Sequence, residues 1–315
     1  MALFAQALLP RGRALLVPFC LVLAAASPTL AAPPPADAPL SEAPSRDGAA
    51  AYEACLGQVR ANAPAALATA EDWTRSGGGA PADHCAGLAL VEMGRLDEAA
   101  ARLEIAAGRA TRSDLKADLL AQAGNVWLMA EKADRAEKAL GLAIGFAPDR
   151  PDILVDRARA LGARQDWAGA KRDLDAAIRR APRLAEALVL RAGARRRLGD
   201  LKGARADADA ALAAAPGDPA ALLERGAIRH LAKDDKGAEA DWKAVLQTGA
   251  DGPEADAART NLEALAAGGE EAAPAPAAAA KAPAAKAPVA NGKSARPKPP
   301  AKPKKPPQQK PSPAT

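Results

Sequence analysis

Pro148, Pro182 and Pro216 stand 34 residues apart, and the same step carries Leu120 to Leu154, Leu188 and Leu222. It also carries Ala136 to Ala170, Ala204 and Ala238, and Ala143 to Ala177 and Ala211. A fixed period of this length constrains the fold more than any other feature of the chain. Each copy is one supersecondary unit that cannot bury its apolar face alone, so neighbours must stack into a continuous core with specialised ends. Small residues recur at Gly124, Ala158, Ala192 and Gly226, where one helix of each copy must approach its neighbour closely. Alanine is also the best helix former, so packing and propensity favour the same choice.

A period of 34 with a small residue early, alanines at two later places and a closing proline resembles the tetratricopeptide repeat (TPR), in which helix A, a tight turn and helix B form each unit. The resemblance implies an all-α, right-handed α-α superhelix. The register gives five repeats, at 80–113, 117–150, 151–184, 185–218 and 219–252, with a three-residue insertion after the first. Inter-helix turns are expected at Gly94-Arg95-Leu96, Gln165-Asp166-Trp167 and Leu198-Gly199-Asp200-Leu201, with Gly or Asp ending helix A. Residues 47–79 read as a helix pair, Ala49 to Arg60 and Pro64 to Arg75, that departs from the pattern and is expected as a degenerate repeat or cap. Ala257, Ala258, Leu262 and Leu265 fall at helical spacing in 253–267, as in a capping helix.

The two ends carry other signals. Arg11 and Arg13 precede an uncharged apolar run from Ala14 to Ala26 and a small-residue segment ending at Ala32, so residues 1–32 read as a signal peptide. The expected destination is export, to the periplasm, with an uncleaved membrane anchor as the alternative. The Pro-rich run 33–46 reads as a linker. The tail 268–315 is almost wholly Ala, Pro and Lys, cannot bury a core and is expected to be disordered. It holds nine lysines and arginines against two glutamates, while the whole chain has a net charge of +5, so the basic character belongs to the tail and the repeats are near neutral. The tail suits anionic envelope polymer or lipid headgroups by charge. Export and the lack of interleaved aromatic residues argue against nucleic acid.

Once Cys20 leaves with the leader, Cys55 and Cys85 remain. In an oxidising compartment such a pair is expected to form a disulfide. His84 and His230 are far apart in the register, and there is no metal-ligand spacing, nucleophile elbow or phosphate loop, so neither cofactor nor catalysis is expected.

The seventh place of helix A, usually apolar in the family, holds Arg157, Arg191 and Arg225, each followed sixteen residues later by Asp173, Asp207 and Asp241. The repeat from Ala117 lacks both, with Ala123 and Ala139 at the matching places. Residues that appear and vanish together suggest ion pairs between helices A and B, where the guanidinium fork suits a carboxylate. The resemblance also implies a concave face lined by A helices. Placed by register, its candidate partner-binding residues are Gln122, Asn125, Val155, Arg159, Val189, Arg196, Arg197, Leu223 and His230. Arg159, Arg196 and Arg197 are expected to form a cationic strip for an acidic, apolar-anchored peptide segment or helix. The function expected is that of a scaffold for protein partners. The alternative is an envelope-anchoring protein acting through its tail.

Overall fold

The computed structural model describes residues 46–249 and 251–268. The expected signal peptide, most of the linker and nearly all of the basic tail lie outside these residues. The described residues form thirteen helices and no strand, an all-α helical-repeat solenoid. Two helices, α1 (Arg46–Ala61) and α2 (Ala63–Arg75), precede five helix pairs. The pairs are α3 (Gly79–Glu92) with α4 (Leu96–Arg109), α5 (Ser113–Met129) with α6 (Ala133–Phe146), α7 (Pro151–Ala163) with α8 (Trp167–Arg180), α9 (Ala185–Arg197) with α10 (Leu201–Ala214), and α11 (Pro219–Leu231) with α12 (Asp235–Gln247). Helix α13 (Pro253–Ala266) closes the stack.

The A helices form the closely spaced layer. Helix α5 packs on α7, α7 on α9, α9 on α11 and α11 on α13, while the main contacts of each B helix are with the A helices before and after it. Size compensation sets the A–B distance. A Cβ on Gly124 would lie 2.5 Å from Cγ of Leu140, and one on Gly226 would lie 2.7 Å from Cδ1 of Trp242, so at these two places the B-helix side chain fills the space that a Cβ would need. Alanine occupies the same place at Ala158, although the residue opposite, Leu174, is again a leucine, and at Ala192, where it is Ala208.

The turns differ from expectation in one respect. Helix A ends in a left-handed residue at the same register place each time, namely Gly94, Glu131, Gln165, Gly199 and Lys233. The aspartates that follow cap helix B and do not end helix A. Asp166, Asp200 and Asp234 each accept a hydrogen bond from the backbone N–H three residues on, at Gly169, Gly203 and Gly237. The caps of α4 and α6 are Arg95 and Lys132, with no side-chain bond to the backbone.

One continuous core runs from Cys55 to Ala160, joining α1 through α7 and including Trp127, Leu103 and Leu140. Beyond it the buried apolar residues fall into smaller clusters, around Leu174, around Ala208 and Ile228, around Leu188 and around Trp242.

Candidate partner-binding face of the A helices

Polar side chains run along the A layer from one end towards the other. The Tyr52 hydroxyl of α1 lies 2.5 Å from Nδ1 of His84 in α3, and Nε2 of His84 lies 2.8 Å from Oε1 of Gln122 in α5. Asn125, one turn along α5, donates through Nδ2 to Oδ2 of Asp156 in α7 at 2.8 Å. Asp156 pairs with Arg159, which also pairs with Glu186 of α9. Arg196 of α9 donates through Nε and Nη2 to the two oxygens of Glu224 in α11, at 2.6 and 3.0 Å. Apart from the Asp156–Arg159 pair, which lies within α7, each bond joins neighbouring helices of this layer, so the face is oriented before any ligand arrives.

Burial sets the electrostatics of this row. It lowers the pKa of His84, which the Gln122 bond opposes only in part, so the ring is held neutral. It pushes the Tyr52 hydroxyl up to about 12, with the charge of Glu53 adding to the effect. It also raises Asp156, against the opposing attraction of Arg159.

The expected cationic strip is not present. Arg159 and Arg196 are each matched by a glutamate of the next repeat, and only 7% of the Arg196 side chain is exposed. The guanidinium carbon of Arg197 sits 5.3 Å from the centroid of the Trp167 ring, an arrangement favoured by the negative ring face. Val155 is a second correction. It is 2% exposed and packs in the core around Leu174, so it offers no surface to a partner. Gln122, Asn125, Val189 and Leu223 are half-buried on the A layer. His230 is also half-buried, with Nδ1 2.7 Å from Asp235 of α12.

Behind this face the arginines of the seventh place bind the B helices. Arg157 donates to both oxygens of Asp173 at 2.7 Å. Arg191 holds Asp207 at 2.9 and 2.7 Å, and its third nitrogen reaches back 2.8 Å to Asp175 of the preceding repeat. Arg225 repeats this with Asp241 and Asp209. The aspartates are further shared: Arg195 reaches Asp207 at 2.9 Å and Arg229 reaches Asp241 at 2.7 Å. Hydrogen bonding to these carboxylates raises the pKa of Arg157, Arg191 and Arg225, which keeps them charged.

Sequence reasoning missed Asp83, whose side chain is wholly buried. It accepts from Arg102 at 3.0 Å and Arg109 at 2.6 Å, both on α4. Once the three-residue insertion is allowed for, Asp83 stands at the register place of Leu120, and an acid at a leucine position was the available signal. Glu186 and Glu224 were missed as well, because the arginines they bond, Arg159 and Arg196, stand at different register places and so give no repeated pairing. Cys85, two residues after Asp83, is bonded to Cys55 across α1 and α3, with Cα atoms 6.3 Å apart. Among the described residues no group of three or more His, Cys, Asp or Glu could hold a metal ion. No described helix is long and apolar enough to cross a membrane.

No family model matches the sequence, and no curated protein aligns with it. Solved structures do share the fold. Cut9, from the APC/C hetero-tetramer Cut9-Hcn1, superposes with a TM-score of 0.53 at 13% identity, over 69% of this chain and 42% of that one. PilF of Pseudomonas aeruginosa gives 0.49 at 15% identity, over 60% and 84%. The first TPR of Spaghetti (RPAP3) bound to the HSP90 peptide SRMEEVD gives 0.37 at 25% identity, over 38% and 95%.

Proposed function

We propose that this TPR-like solenoid is an exported scaffold, working in the periplasm, that receives a polypeptide segment of a partner protein along its A-helix face. The observation that carries the reading is the row of side chains bonded between successive A helices, from His84 to Glu224. Groups already held in place lose little freedom on binding, so their contacts count towards affinity. Val189 and Leu223 supply half-buried apolar area beside them. Since Asp156, Glu186 and Glu224 balance Arg159 and Arg196, the partner that fits carries polar groups of both signs around apolar anchors. Export rests on the leader-like residues 1–32, and the Cys55–Cys85 bond suits an oxidising compartment.

The second reading, anchoring of the envelope through the tail, rests on the excess of lysine and arginine in 268–315. One experiment separates the two. Capture from an envelope extract is compared for the mature chain, a Val189→Glu/Leu223→Glu variant with unchanged circular dichroism, and a chain lacking 268–315. Loss of the same identified protein with the double variant alone supports the A-face scaffold. Equal recovery by the double variant sinks it, and altered envelope retention with the tail deletion alone favours anchoring.

A further inference from the structure

The B-helix side carries a feature unrelated to the A-face row. A cleft of about 640 Å³ opens between α4 and α6, with α5 as its floor. The floor is apolar: Leu120 and Trp127 are 7% and 2% exposed. Leu142 and Phe146 of α6 line one wall and remain 60% and 42% exposed, although each holds a side chain large enough to be a core residue elsewhere in the stack. On the opposite wall Gly108 leaves the groove open, since a Cβ there would meet nothing within 4 Å.

The charge of the rim is one-sided. Lys116, Arg135 and Lys138 line the cleft and form no ion pair among the described residues, in contrast to Arg159 and Arg196 on the other face. Two of these cations lie over the aromatic residues, Lys116 at 5.4 Å from the Phe146 centroid and Arg135 at 4.6 Å from that of Trp127. Glu104, the single acid of the lining, already accepts the Trp127 indole N–H at 2.8 Å. The cleft follows α5 from Lys116 to Trp127 and α6 from Arg135 to Phe146, in each case about 16 Å or three turns at 1.5 Å per residue. Helices α4 and α6 run in the same sense, because α5 returns between them.

We propose that this cleft is a second docking site, for an amphipathic helix of a partner protein that has a stripe of large apolar residues flanked by glutamates or aspartates. A groove between two helices with an apolar floor accepts anchors at i, i+3 or i+4 and i+7, and a cationic rim selects acidic flanks. The chain's own tail has the same sign as the rim and does not suit it. Docking would cover Leu142 and Phe146, whose exposure leaves apolar area in water without a local reason.

The test uses the full mature chain and a fluorescein-labelled synthetic helix of about 14 residues, a length slightly greater than the cleft at 1.5 Å per residue. It has leucines along one face and glutamates beside them, and a second peptide replaces every glutamate by lysine. Fluorescence anisotropy should show binding of the glutamate peptide that weakens as salt rises, and weaker binding of the lysine peptide by at least about tenfold. Lys116→Glu/Arg135→Glu/Lys138→Glu should weaken the glutamate peptide by a similar factor. Should the triple variant fold poorly, Gly108→Phe fills the groove without a backbone demand and should do the same, with melting unchanged. The Val189→Glu/Leu223→Glu variant should bind this peptide normally, which separates the result from the A-face reading. Failure of the glutamate peptide to bind, equal binding of both peptides, or undiminished binding by Gly108→Phe overturns the proposal. So does an anionic dye such as anilinonaphthalene sulfonate that binds in the cleft and is not displaced by the peptide, or a dimer in sedimentation that Gly108→Phe abolishes.

Discussion

In the three pairs from α7 to α12, each A helix is tied to its B helix by an arginine bonded to a buried aspartate, at Arg157, Arg191 and Arg225. In α5 and α6 the same two places hold Ala123 and Ala139, both buried, and the core is continuous with that of the preceding helices. The first pair reverses the arrangement, with the acid, Asp83, on the A helix and the arginines on the B helix, and adds a disulfide to α1. The caps follow the same division. Asp166, Asp200 and Asp234 begin α8, α10 and α12, and nothing comparable begins α4 or α6. One period therefore accommodates two ways of joining helices. The later repeats interrupt their apolar core with ion pairs at one recurring register place, which fix register more dependably than they stabilise, while the earlier ones combine apolar area with a covalent bond and a single buried cluster at Asp83.

The division is broken most directly at the covalent bond. Closing a loop over a sequence separation of 30 residues stabilises by about 3 to 4 kcal/mol in the chain-entropy model. Reduction, or Cys55→Ser with Cys85→Ser, should remove about that amount from α1 to α3, and amide exchange should rise there first. Because a repeat stack is coupled mainly between neighbours, exchange in α9 to α12 should change little. Uniform loss of protection along the stack would show the two regions to be one cooperative unit.

Arg157→Met should be the next largest effect, at about 2 to 3 kcal/mol, reduced from the fully buried case because 28% of the arginine side chain is exposed. Asp173 would be left without a partner. Arg191→Met should cost less, since Arg195 still bonds Asp207 and Lys171 still bonds Asp175. Denaturant titration of both variants decides: an equal or reversed order would mean that the second arginine does not share the load.

Much of this was legible because each position is written several times. Leu154, Leu188 and Leu222 point to a core, and the joint loss of arginine and aspartate at Ala123 and Ala139 pointed to the pairs. Singular features gave no such signal. Glu186 and Glu224 pair with Arg159 and Arg196 at spacings that no other repeat copies, so the A face was read as cationic when it is balanced. Asp175 and Asp209 do recur 34 apart, but their arginines lie in the following repeat, and a search within one repeat misses a bond between two. The burial of Val155 depends on how far α7 is covered, which register alone does not specify. The cleft depends on three-dimensional spacing between α4 and α6, and nothing in the repeat pattern marks Leu142 and Phe146 as exposed.

A change of pH should also act on the earlier region. Burial holds His84 below its usual pKa of 6.5, so between that lower value and 6.5 the unfolded chain binds more protons than the folded one. Stability is therefore greatest above 6.5 and falls as pH drops through this window, by at most about 1.4 kcal/mol per pH unit for one group. His84→Gln should flatten the profile while keeping a side chain able to bond Tyr52 or Gln122. An unchanged acid slope in that variant, or a nuclear magnetic resonance titration of His84 at or above 6.5, would remove the histidine from the account.

The smallest effect sharpens the boundary itself. Asp175 and Asp209 receive the third nitrogen of Arg191 and Arg225, but the equivalent place before Arg157 is Gly141. A Cβ on Gly141 would lie 3.9 Å from Nη1 of Arg157, a comfortable distance that brings a carboxylate within reach of that nitrogen. Gly141→Asp should extend the ladder by one step into α6 and tie the apolar region to the ionic one. Asp is a slightly better helix residue than Gly, by a few tenths of a kcal/mol, and a half-exposed ion pair adds about 0.2 to 1 kcal/mol. The expected gain is about 0.5 to 1 kcal/mol, partly lost at high salt because the site is open to solvent. Gly141→Asn has nearly the same helix propensity without the charge, so the difference between the two variants isolates the pair. Equal stability of Gly141→Asp and Gly141→Asn at low salt would show that the ladder ends at Arg157 because nothing is gained by continuing it.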